Sequence, residues 1–198
     1  MKKMLLFFVL LPLLAVSAFA QESRQDVSLS GAAFLPPYVV GNAVKQSATL
    51  GIGALVSYRY MLTPSSAGEL NYGYDQDTQK FITPTNNTRI HARIMEISGA
   101  YVRSFTFKNF NPFLEAGVGG FFFGPIADAK TTDQTGKRTT SIGALYGGGI
   151  AYEISPSFDI RVEYRGIVVK APSFGISTLP TNRYYNISNP VIGIAYHF

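Results

Sequence analysis

The chain has 198 residues, 17 Lys and Arg against 12 Asp and Glu, a formal charge of +5 and no cysteine. Without cysteine neither a disulfide framework nor a thiolate metal site is available, and a mild charge without a basic run of interleaved aromatics argues against nucleic acid. The 15 Phe, 12 Tyr and 19 Gly, with no Trp, favour strands and close packing over helices.

The first residues, MKKMLLFFVLLPLLAVSAFAQ, place Lys2 and Lys3 before an apolar stretch from Met4 to Val16 and the small-residue site Ala18-Phe19-Ala20 before Gln21. This pattern predicts a secretory signal over residues 1–20, cleaved near Ala20 and, interrupted by Pro12, too short to span a membrane. Taking 20 residues from 198 leaves 178 and removes two lysines, so the charge falls from +5 to +3, and residues 21–198 suit one domain. Beyond Gln21 no apolar run reaches the ~18 residues of a transmembrane helix. Any membrane crossing must use strands.

Period-2 alternation then recurs along the chain. Asp26 to Phe34 sets Val27, Leu29, Gly31 and Ala33 against Ser28, Ser30 and Ala32. Ala48 to Tyr60 sets Leu50, Ile52, Ala54, Val56, Tyr58 and Tyr60 against Thr49, Gly51, Gly53, Leu55, Ser57 and Arg59. Gly68 to Tyr74 opposes Leu70, Tyr72 and Tyr74 to Glu69, Asn71 and Gly73. In Arg89 to Phe105, Met95, Ile97, Gly99 and Tyr101 face away from Glu96, Ser98 and Ala100, although Arg93 and Ile94 blur the upper half. Pro112 to Phe123 and Thr139 to Tyr152 repeat the pattern with Glu115 and several glycines on the second face. Phe158 to Val168 is the sharpest, alternating Phe158, Ile160, Val162 and Tyr164 with Asp159, Arg161, Glu163 and Arg165. The terminal VIGIAYHF makes the eighth.

Short turn-rich links (MLTPSSA, TFKNFN, EISPS) alternate with longer polar ones, among them DQDTQKFITPTNNT and KAPSFGISTLPTNRYYN. The reading is an all-β chain forming an eight-stranded antiparallel up-and-down transmembrane β-barrel. A bilayer offers no water to unpaired backbone groups, so a sheet survives there only by closing. Apolar side chains then face lipid while small and charged ones face the lumen. The predicted lumen network is Glu69, Glu96, Glu115, Arg59, Asp159, Arg161, Glu163 and Arg165, with Glu96 and Glu115 grouped with Arg161, Glu163 and Arg165. Side chains fill the interior of so small a barrel. Tyr58, Tyr60, Tyr101, Phe113, Tyr152, Phe158, Tyr196 and Phe198 gather near the short-turn side as an interfacial girdle.

FNPFLEAGVGG, RVEYR and the terminal GIAYHF give the chain a resemblance to the small eight-stranded outer-membrane barrels of Gram-negative bacteria, similar to OmpX and the OmpA transmembrane domain. The resemblance implies an integral, monomeric outer-membrane protein among outer-membrane lipid and lipopolysaccharide, with a possible surface ligand at the long loops. It also implies a C-terminal assembly signal read by the barrel-assembly machinery, here Gly193, Tyr196 and Phe198, with Val191 where the signal carries a polar residue.

Catalysis lacks candidates. A lipid A deacylase of this architecture uses His-x-Ser, but His91 is followed by Ala92 and Arg93, and His197 only by Phe198. Two distant histidines give no metal-ligand spacing, and no cofactor is expected. The glycine runs at Gly51 to Gly53 and Gly147 to Gly149 lie within strands, not at phosphate-binding turns. The expectation is a non-catalytic scaffold presenting extracellular loops for adhesion or other surface contact, with a narrow pore for ions or small solutes as the alternative and a lipid-modifying enzyme third.

Overall fold

The computed structural model describes residues 24–198, so the signal expected over residues 1–20 lies outside the described residues. The strands are β1 (Gln25–Phe34), β2 (Val39–Gly41), β3 (Val44–Ala48), β4 (Gly51–Thr63), β5 (Ser66–Ile82), β6 (Asn87–Ser104), β7 (Phe110–Pro125), β8 (Thr139–Ser155), β9 (Phe158–Lys170) and β10 (Tyr184–His197). Eight of them, β1 and β4 to β10, pair antiparallel with their neighbours in chain order. The ring closes where β10 meets β1, from Asp26 opposite His197 to Ala32 opposite Val191. Closure leaves no barrel edge unpaired, as a membrane sheet requires. No helix among the described residues is long and apolar enough to cross a membrane.

The extra strands β2 and β3 form a hairpin within the first long connection. β3 continues the ladder on β5 beyond the end of β4, with Lys45 opposite Ile82. A second difference from the sequence expectation is larger. Residues 75–88, read as mostly loop, are strand almost throughout, and β5 and β6 are joined only by residues 83–86. Asp75, Asp77 and Gln79 are buried while Gln76 and Lys80 face outward. With polar residues on both faces, the segment carries no hydrophobic period, yet its backbone ladder simply continues past the membrane.

The outer wall is apolar through its middle, where Leu29, Leu70, Val118, Ile142 and Ile192 are exposed. Below this belt, at the short-turn end, Tyr60, Tyr101, Tyr152, Phe158, Tyr196 and Phe198 face outward. Tyr196 packs between Phe158 and Phe198, with ring centroids at 5.1 and 6.0 Å. Above it, Tyr74, Tyr146 and Tyr164 form a second ring whose hydroxyls meet the side chains of Gln76, Asn186 and Ser188 at 2.7, 2.7 and 2.8 Å. Apolar ring and polar tip suit both borders of a bilayer. Phe113 departs from the expected girdle: it is 2 % exposed and points into the lumen, where the Arg59 guanidinium lies 4.4 Å from its ring centroid.

Inward glycines of β8 make room for β7. A Cβ at Gly149 would stand 2.7 Å from the Phe113 ring, and one at Gly147 would stand 2.9 Å from Glu115 Oε1. The glycine-rich register therefore serves packing across adjacent strands.

Candidate functional site

All eight charged residues singled out from the sequence lie inside the barrel, none more than 8 % exposed. They form separate groups at successive depths. Nearest the short-turn end, Arg161 pairs with Asp26 at 2.8 Å and His197 Nε2 meets Asp159 at 2.8 Å. Arg59 and Glu69 stand directly opposite on β4 and β5 and pair there, beneath Phe113. Deeper, Arg165 donates to Glu96 at 2.5 Å, to Glu115 at 3.3 Å and to Asn189 Oδ1 at 3.3 Å, and lies 3.5 Å from Glu163. Ser98 Oγ donates to Glu96 at 2.6 Å.

The grouping differs from the expected one: Arg161 belongs with Asp26, while Arg165 alone gathers Glu96, Glu115 and Glu163. The reason is depth, because four residues along a tilted strand carry Arg161 about 10 Å below Arg165. Asp26 was missed although it shares the parity of Ser28 and Ser30. Asp75 and Asp77 were missed although they continue the parity of Glu69 and Asn71.

Above this polar half the interior becomes apolar. Phe34, Phe81, Ile90, Ile94, Phe121, Phe123, Leu145, Ile167, Val169 and Ile187 form one buried cluster. This resolves the blurred alternation of β6: Ile90, Ala92 and Ile94 point inward because the interior there is a hydrophobic core. The connection over residues 171–183 folds into the mouth and adds Ala171, Phe174 and Leu179 to that cluster. Phe174 is fully buried, edge-on to Phe81 at 6.1 Å, and its carbonyl accepts from the Lys137 N–H at 2.7 Å. Pro172 O accepts from Gln46 Nε2 at 3.3 Å, and Pro180 O from Asn42 Nδ2 at 2.9 Å.

Between the polar and apolar halves a cavity of about 20 Å³ is bordered by Asp75, Leu55, Ile94, Glu96, Arg165 and Asn189. That is room for roughly one water. Both Asp75 carboxylate oxygens are buried without a hydrogen-bond partner. An open cavity of about 180 Å³ at the short-turn end is bordered by Lys108, Glu153, Asp159, Arg161 and His197.

A closed antiparallel barrel with a lipid-facing belt, two aromatic rings and a filled interior is the architecture of an outer-membrane protein. The outer membrane protein beta-barrel domain family matches residues 6–198. The chain belongs to that family. Members are bacterial outer-membrane proteins, so the end carrying short turns is periplasmic and the loop end extracellular. No curated protein matches the sequence.

Among solved structures the chain is similar to the outer membrane protein OprG from Pseudomonas aeruginosa, with a TM-score of 0.66 and 13 % identity over 90 % of this chain and 97 % of that one. Neisserial surface protein A is similar at a TM-score of 0.60 and 15 % identity, covering 89 % of this chain and 98 % of that one. The outer membrane protein AlkL, solved in lipid bilayers, gives 0.51 and 12 % over 90 % and 92 %. At such identities the likeness is one of fold.

Outside the membrane, the extracellular end of this barrel holds a histidine–carboxylate pair. His91 Nδ1 lies 2.6 Å from Asp128 Oδ2, tying the connection over residues 126–138 to β6. Thr131 Oγ1 accepts from the His91 backbone N–H at 3.0 Å and strengthens the same strap. Partial loss of water pushes the Asp128 carboxyl up, but the hydrogen bond with His91, the Lys130 N–H and the nearby charges outweigh it and hold the group below its usual range. Both histidines are thus occupied by carboxylates. No cluster of metal-ligating side chains exists among the described residues.

Gly193 sits in the closing ladder opposite Ser30. A Cβ there would come within 2.5 Å of Leu29 O and 2.6 Å of Ser30 Cα.

Proposed function

We propose that this barrel is a non-catalytic surface protein whose lumen is closed and whose extracellular end makes its working contacts. The observation that carries the reading is the filling of the interior above the open cavity at the short-turn end. Buried ion pairs occupy the periplasmic half, a hydrophobic core occupies the extracellular half, and Phe174 stops the mouth. The long strands β5 and β6 raise the loop end above the upper tyrosine ring, giving a rigid base for contacts. An open groove of about 400 Å³ there, bordered by Asn42, Thr83, Thr85, Ser177 and Thr178, offers hydroxyl and amide groups to a surface ligand. Gly193, Tyr196 and Phe198 are the positions the assembly machinery would read during insertion.

A narrow pore is the second reading, and one observation favours it. Asp75 presents two unpartnered oxygens to the cavity beside Glu96 and Arg165, so polar groups continue toward the extracellular half. Conductance of the refolded barrel in a planar bilayer, beside an Arg161→Ala variant, separates the two. With folding verified by the heat-dependent gel shift, the closed reading expects a silent membrane for the wild type. Steady wild-type current steps that the variant alters would overturn it in favour of the pore.

A further inference from the structure

We infer that the outer wall of the extracellular end carries a binding site for the phosphate groups of an outer-leaflet glycolipid, built on Lys45, Lys80, Arg89 and Arg93. Alternation turns these side chains outward while their neighbours Gln46, Gln79, Thr88 and Ile94 are buried. Register then brings them together. Lys80 stands directly opposite Arg89, Arg93 stands opposite Gln76, and Lys45 on β3 reaches the same surface two residues from the partner of Lys80.

Like charges directly opposite one another destabilise a sheet. Among the described residues, none of the four is in an ion pair with a carboxylate. The acidic residues of this end are committed elsewhere: Asp75 and Asp77 face the interior, Asp128 holds His91, and Asp133 accepts from Thr135 at 2.6 Å. A cross-strand cation pair that no carboxylate reaches within ion-pair distance is an arrangement that an external anion would relieve.

Height selects the anion. Arg93 lies level with Gln76, immediately above the Tyr74 hydroxyl that marks the membrane border. Lys80 is six residues beyond Tyr74, about 15 Å higher along a tilted strand. The four cations therefore climb the wall through the headgroup layer of the leaflet and face sideways into it. A soluble partner would approach from above, whereas a phosphorylated sugar headgroup anchored in the same leaflet meets this surface at two heights. Lysine and arginine together suit phosphate, as point charge and as planar fork. The site is independent of whether the lumen conducts.

The test uses the refolded full barrel in phosphatidylethanolamine bilayers containing lipopolysaccharide, with retained glycolipid counted by native mass spectrometry after release. Wild type should retain it, and the same lipopolysaccharide stripped of its phosphates should be lost. A Lys80→Gln, Arg89→Gln double variant should bind about tenfold more weakly or worse, as two charge-assisted contacts disappear. A Lys108→Gln, Arg103→Gln double variant, the same loss of two positive charges at the periplasmic end, should leave retention unchanged, and the heat-dependent gel shift shows that each variant is folded. Undiminished retention by the double variant, or equal retention of the dephosphorylated lipid, would overturn the site. Dextran sulfate binding as tightly as the lipid to the detergent-solubilised barrel would also overturn it, by making the partner a soluble polyanion.

Discussion

Arg165 on β9 reaches across the lumen to Glu96 on β6, three strands away around the barrel, and donates to it at 2.5 Å. This contact braces opposite walls, and Glu115 and Glu163 crowd the same guanidinium at 3.3 and 3.5 Å. One arginine therefore serves several buried carboxylates at once. Replacing Arg165 by Met should cost about 3 to 5 kcal/mol, because the carboxylates stay buried without their cation. Urea titration of the lipid-embedded barrel measures this, with Lys137→Ala in the exposed loop as the comparison. Equal midpoints for the two variants would refute the bracing role.

Phe113 and Tyr152 test the division between lumen and girdle. Phe113→Ala removes a ring buried against Arg59 and should cost about 3 to 5 kcal/mol, as large aromatic truncations in cores do. Tyr152→Ala, on the outward ring, should cost less. The same urea titration orders them, and a reversed order would place Phe113 at the interface after all.

On the lipid-facing wall, Val118 is 66 % exposed in the middle of β7. Val118→Arg should destabilise the barrel by about 2 to 4 kcal/mol in bilayers, the depth-dependent penalty for a charge near the midplane. The penalty should fade in a polar detergent, so comparing midpoints in the two media checks both the face and the depth.

Phe174 stoppers the mouth from the connection over residues 171–183. Phe174→Ser should leave the eight-stranded ladder intact, because that loop lies outside it. The loop should instead become sensitive to added protease on the extracellular side. A loop as resistant as in the wild type would mean that its backbone anchors at Pro172, Phe174 and Pro180 suffice without the ring.

Acid should release the strap at Asp128. Its carboxyl is held below the usual aspartate range in the folded state. A depressed carboxyl contributes stability that is fully present above the ordinary value of about 3.9 and is lost as pH falls through the lower folded value. Protection of residues 126–133 from hydrogen exchange, taken relative to the intrinsic rate at each pH, should therefore hold at neutral pH and fall only in that acidic window. In His91→Ala the same segment should exchange fast already at neutral pH.

Gly193→Ala separates a packing role from an address. The overlap with Leu29 O and Ser30 predicts slower closure of β10 onto β1 even in refolding from urea with lipid alone. Normal refolding in the tube combined with failed insertion in cells would assign the glycine to recognition by the assembly machinery.

Strand number, pairing order and membrane faces were legible in the sequence because one face of each strand meets lipid, and lipid tolerates no irregularity in that period. The parity of β9 sets Asp159, Arg161, Glu163 and Arg165 on the face opposite Phe158, Ile160, Val162 and Tyr164, and all four side chains are buried inside the barrel. Beyond the bilayer that constraint lapses. With water outside and side chains inside, Asp75 to Ile82 could be polar on both faces and still be strand, so the upper third of the barrel looked like loop.

Only the closed structure decided who meets whom. Arg165 and Glu96 are 69 residues apart and on opposite walls, and their contact depends on tilt and stagger that no local pattern encodes. The same holds for the hydrophobic core above them, where Ile94, Phe121, Ile167 and Phe174 find one another only after the ring has closed. Alternation specifies the face of a residue; its depth and its partner across the lumen are properties of the barrel.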